Sequence, residues 1–153
     1  MTEIWFYHLQ RRTLEAVLPG LLERALQRGW RAVVQGASEE RIAAFDEHLW
    51  TYSDESFLPH GSARDGDPET QPVFLTTGPE NPNRAAVRFL IEGAEAAPIL
   101  ERNETYERLM LLFDGNDAEA LAAARVQWAE LKARGLALSY WQQTEDGRWQ
   151  KRE

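Results

Sequence analysis

The chain has 153 residues, 43% of them hydrophobic, with 17 basic against 25 acidic side chains and a formal charge of −8; this suits one folded domain with a single core and disfavours broad contact with nucleic-acid phosphates. It has no cysteine, which excludes disulfides and thiolate metal sites and fits a reducing cytoplasm. No apolar run approaches the roughly 20 residues of a membrane span, and Met1–Phe6 lacks the basic-then-apolar pattern of a signal peptide. Ile4–Leu9 is short, apolar and aromatic and reads as a buried first strand. Thr13 can cap a helix whose apolar positions, Leu14, Val17, Leu18, Leu21, Leu22, Ala25 and Leu26, share one face. Pro19 should bend that helix or loosen its first turns, and Gly29 is placed to end it.

Trp30–Gln35 reads as the second strand, and Ser38 as the cap of a second helix with inner face Ile42, Phe45 and Leu49. Trp50 falls at the edge of that face. Residues 60–71 are polar and rich in Gly and Asp, and read as a surface loop. Pro72–Thr77, Ala86–Ile91 and Arg108–Phe113 read as the next strands, the last apolar enough to be central. Residues 92–107 are ambiguous: Pro98 breaks them, with room for a short helix on either side. Asp117 caps a third helix, Ala118–Arg134, that Gly135 ends; Leu136–Trp141 follows as a strand, and a turn returns the chain into Arg148–Lys151. The alternation of strands and helices predicts one α/β domain over residues 1–153, with a mainly parallel sheet between helices on both faces.

Few residues are arranged for catalysis. A nucleotide-binding domain wants glycines between its first strand and helix, and here that turn is His8-Leu9-Gln10-Arg11-Arg12-Thr13. Arg11 and Arg12 either attract an anion at the helix N-terminus or form a solvated basic turn. His8, His48 and His60 lack partners at metal-ligand spacing, so no metal is expected, and a structural hydrogen bond is expected of His60. Asp46, Glu47, Asp54 and Glu55 read as solvated acids, because Asp46 and Glu47 are adjacent on a helix and point apart.

The third helix is more informative. Arg125, Trp128 and Lys132 fall within about 40° of Leu121 at roughly 100° per residue. They sit inside a wide apolar arc running from Ala124 and Leu131 through Leu121 to Ala122, Val126 and Ala129. Two explanations fit: cations snorkelling from the core edge, or a mixed pocket for a ligand with both negative charge and an apolar group.

Leu49-Trp50, a short acidic spacer, then Ser56-Phe57-Leu58-Pro59-His60 resembles the central motif of the chi subunit of bacterial DNA polymerase III, a clamp-loader accessory. Phe6-Tyr7, the strand entry from Gly29 to Val34, Pro72-Val73, and Arg125 ahead of Gly135 stand in that family's order. The resemblance implies a Rossmann-like three-layer sandwich with no nucleotide site, no cofactor and no catalysis. It implies a cytoplasmic replication adaptor that holds the acidic C-terminal tail of single-stranded DNA-binding protein (SSB), which ends in phenylalanine. It also implies a psi subunit or the clamp-loader core as a second partner, and no strong direct binding of nucleic acid. Carried over by position, Trp50, Phe57, Arg125, Trp128 and Lys132 form the tail site, with Arg125 meeting the tail's carboxylate. The chain departs from the family at Leu121, where a lysine can stand, and at Ala129, which replaces a basic residue; Lys132 compensates. The competing expectation is a small α/β nucleotide hydrolase or nuclease with a degenerate site.

Overall fold

A computed structural model of the chain describes residues 2–10, 12–52, 59–62, 65–102, 104–144, 146 and 148–152. Strand β1 (Glu3–Leu9) leads to helix α1 (Leu14–Gln27), strand β2 (Ala32–Gln35) and helix α2 (Glu39–Thr51). Strands β3 (Gly61–Ser62), β4 (Val73–Thr76) and β5 (Val87–Ile91) follow. After them come α3 (Ala97–Leu100), β6 (Arg108–Asp114), α4 (Ala118–Ala133), β7 (Ala137–Gln143) and β8 (Trp149–Lys151). The long helices start where the sequence indicates. The Thr13 hydroxyl accepts the Ala16 amide, the Ser38 hydroxyl accepts the Arg41 amide, and the Asp117 carboxylate accepts the Glu119 and Ala120 amides. Gly29 and Gly135 close α1 and α4 at φ of 81° and 75°, where a side chain would be strained.

The strands form one sheet in the order β3-β4-β2-β5-β6-β1-β7-β8, parallel throughout except for the β7–β8 hairpin. Alternation along β1 shows how the faces divide. Tyr7 and Leu9 join the core beneath α1 and α2, while Ile4 and Phe6 join the core beneath α3 and α4. The result is the expected three-layer α/β sandwich with helices on both faces. From the adjacent pair β1 and β6, the chain leaves in opposite directions: α1 leads from β1 to β2, and α4 leads from β6 to β7 on the other face.

Three segments differ from the sequence expectation or settle it. The loop expected over 60–71 contains β3, which pairs parallel with β4, and a 3-10 turn at Pro68–Thr70. Two strand residues are too few to carry a periodicity. In the ambiguous segment, α3 is one turn long with Pro98 at its start, where the missing N–H has no helical partner to lose. Pro19 does not interrupt α1. Its ring cannot donate to the Glu15 carbonyl one turn back, and His48 Nε2–H from α2 donates to that carbonyl instead, at 2.6 Å. Replacing His48 by Ala leaves that carbonyl without its donor and should cost about 1–2 kcal/mol in urea unfolding. In a Pro19→Ala background the helix regains its own donor, so the same change should cost clearly less; an equal loss in both backgrounds contradicts this role.

Strand β5 also carries Arg88 fully buried on the α3/α4 side. Its guanidinium donates to Gln35 Oε1 at 2.8 Å, to the Glu80 carbonyl at 2.9 Å, to the Tyr106 hydroxyl at 3.2 Å and to the Gly78 carbonyl. It thereby ties the turn after β4 to β2 and β5, beside a small core of Val33, Phe74 and Ala85.

Candidate functional site

The carboxyl ends of β1, β5 and β6 open into a cavity of about 740 Å³ between the starts of α1 and α4. This crevice, where the strand order reverses, is where open α/β sheets bind ligands. Here two backbone donors at the entry to α1 are already engaged. The Gln10 and Arg12 amides both donate to Gln143 Oε1, at 3.1 and 3.2 Å. Glu15, Asp117 and Glu119 stand in the lining at the two helix starts, so the crevice repels anions. Glu15 and Glu92 share Arg41, at 2.8 and 2.9 Å. Arg11 lies outside the described residues. Among the described residues, no group of three or more His, Asp or Glu side chains is placed to hold a metal ion, and no helix is long and apolar enough to cross a membrane.

A second surface is built by α4 and β7. Ala124 and Leu131 are the buried residues of α4. The apolar arc is narrower than its composition suggests: Ala122 and Ala129 are exposed, and Val126 is 67% exposed. Trp128 is half-buried, with its ring edge-on to Phe6 at 5.2 Å and to Tyr140 at 5.6 Å. Arg125 and Lys132, on the same stripe, are exposed. Period-two alternation in β7 turns Leu138, Tyr140 and Gln142 toward α4, and Leu138 and Tyr140 pack against the same core as Trp128. Arg152, beyond β8, donates to Gln142 Oε1 at 3.2 Å. This surface, termed the α4/β7 groove, thus combines the half-buried rings of Trp128 and Tyr140 with exposed Arg125 and Lys132 on α4 and exposed Arg152 beyond β8. Sequence reasoning missed Leu138, Tyr140 and Arg152; the available signal was the alternation of the last long strand against Trp141.

Trp50 stands elsewhere. It ends α2, on the opposite face of the sheet, and is 56% exposed. Its ring lies 4.6 Å from that of His60, whose Nε2–H reaches the Asp46 carbonyl at 3.1 Å and carboxylate at 3.0 Å. His60 therefore has the structural bond expected of it. Helix α2 packs on β4, and β4 lies four strands from β1, or roughly 19 Å at ordinary strand spacing. The structure brings Arg125, Trp128 and Lys132 together along α4 but does not bring Trp50 to them, because the sheet intervenes. Phe57 lies outside the described residues.

Comparison with known proteins adds identity to this geometry. The family model described as "DNA polymerase III chi subunit, HolC" matches residues 1–139. A similar protein, "Probable DNA polymerase III subunit chi" of Rickettsia prowazekii (strain Madrid E), is 28% identical over 117 residues, covering 74% of this chain and 71% of that protein.

Proposed function

This chain belongs to the DNA polymerase III chi subunit family, a non-catalytic accessory subunit of the polymerase, and from that premise we propose that it is a cytoplasmic adaptor that ties the clamp loader to SSB by gripping the acidic SSB tail in the α4/β7 groove. The observation that carries this reading is the half-buried Trp128 between Phe6 and Tyr140, with exposed Arg125 and Lys132 on the same stripe. A tail with carboxylates and a terminal phenylalanine offers charge to the margins and a ring to the floor. Trp50 serves a second partner, a psi subunit or the clamp-loader core. An adaptor needs two surfaces that can be occupied at once, and an exposed tryptophan on the far face meets that need.

The test is a titration with a labelled peptide copying the tail of the same organism's SSB. Binding one to one, largely lost when the terminal phenylalanine is deleted, is expected. Indifference to that deletion, or no binding at all, overturns the assignment. Bare single-stranded oligonucleotide should bind weakly or not at all at physiological salt, because the net charge of −8 opposes phosphate. Submicromolar binding under those conditions contradicts this. The competing nucleotide hydrolase finds the charged lining of its crevice mainly acidic and the Gln10 and Arg12 amides taken; it would return only if nucleotide with magnesium raised the melting temperature.

A further inference from the structure

We propose that His8 is a positioning residue of the α4/β7 groove: it holds Tyr140 against Trp128 and places a titratable group beside Arg125. This rests on the tail-binding reading above and deepens it. His8 lies on β1, which pairs with β7 on one side and with β6, the strand that leads into α4, on the other. Its Nδ1 is 2.6 Å from the Tyr140 hydroxyl. Its ring packs 5.1 Å from Phe113 and 5.9 Å edge-on to Tyr140, which in turn meets Trp128.

The turn between β6 and α4 is shaped to this ring. A Cβ at Gly115 would fall 1.9 Å from His8 Nε2 and 2.9 Å from the Leu9 carbonyl. No side chain fits there while the imidazole keeps its place. Gln10 Nε2 stands 3.5 Å from His8 Nε2, the pattern of a neutral ring that donates from Nδ1 to Tyr140 and accepts at Nε2.

The groups facing the ring come from three other elements: the charges of Arg125 on α4 and Asp114 at the end of β6, and the Tyr140 hydroxyl on β7, with Gln10 following just after β1. Burial first, and then the Arg125 cation, hold His8 below the ordinary histidine range, against the opposing pull of Asp114. A tail carboxylate seated on Arg125 offsets that repulsion and favours the imidazolium. The bound protein therefore holds more protons than the free protein just below the ordinary histidine range. By linkage, affinity rises as pH falls through that window, while the tail's own carboxylates stay ionised above about pH 5.

The experiment titrates the SSB tail peptide into the unmutated protein, Arg125→Ala, His8→Phe and His8→Asn between pH 5.5 and 8, each shown folded by circular dichroism. NMR follows the His8 ring with and without peptide. The unmutated protein should bind roughly three- to tenfold tighter at pH 5.5 than at pH 8, and His8 should titrate at higher pH when the tail is bound. His8→Phe should bind more weakly at pH 8 and lose the pH dependence. His8→Asn retains an amide donor for Tyr140, so it should recover affinity at pH 8 but stay flat with pH. If Arg125→Ala is weakened while both His8 variants keep normal affinity and a normal pH profile, the role of His8 is refuted and the groove stands. If Arg125→Ala also binds normally, both are refuted. Should His8→Phe fail to fold, His8→Asn and the ring titration decide the matter.

Discussion

Replacing Arg125 by Ala lowers affinity for the SSB tail by about 2 kcal/mol, roughly thirtyfold, and flattens its salt dependence. Arg125 is exposed at the margin of the groove, one turn from Trp128, and its planar fork can address a carboxylate with two parallel bonds. Neighbouring Lys132 and Arg152 keep part of the electrostatic attraction, so the slope with salt diminishes rather than vanishes. Trp128→Ala behaves differently. It removes the ring that sits edge-on between Phe6 and Tyr140, so affinity falls with the salt slope nearly unchanged. Charge and ring address different parts of the ligand, and titrating both variants at two salt concentrations separates them. Equal affinity of Arg125→Ala and the unmutated chain, with both folded, contradicts the assignment.

The largest stability effect is expected at Arg88. Arg88→Met keeps most of the side-chain volume but removes every donor, leaving the Gly78 and Glu80 carbonyls, Gln35 Oε1 and the Tyr106 hydroxyl without a shared partner. Breaking a buried network of this kind costs about 3 kcal/mol. For a domain of this length that lowers the melting temperature by roughly 6–12 °C. Burial pushes the Arg88 pKa below its ordinary value. That desolvation also opposes folding, and the methionine escapes it, so the net loss is smaller than the sum of the bonds. Urea unfolding gives the number, and stability equal to that of the unmutated protein contradicts the role. Tail binding by the folded variant should be unchanged, because the four groups that Arg88 bonds lie outside α4 and β7.

What was legible in the sequence was local. Thr13, Ser38 and Asp117 cap helices through amides two or three residues away, and Gly29 and Gly135 stop them through their own backbone angles. The stripe of Arg125, Trp128 and Lys132 was legible because spacings of three and four define a helix side. Strand order was not. Whether α2 and α4 lie on one face depends on which strands each helix joins, and that placed Trp50 across the sheet from Arg125. The same limit hid Tyr140, which reaches the groove through β7, and His8, whose partner is 132 positions away in sequence. It hid the rescue of the Glu15 carbonyl by His48 as well. Composition also misled at Ala122, Val126 and Ala129: small apolar residues widen an arc on paper, yet they face solvent on the outside of α4.

The most direct measurement is the backbone and indole spectrum of isotope-labelled protein during titration with the SSB tail peptide. The adaptor assignment expects shifts concentrated at Arg125, Trp128, Lys132, Leu138 and Tyr140, with the Trp50 indole and α2 still. Shifts centred on Trp50 and α2 with α4 quiet, or no shifts even in large excess of peptide, contradict it.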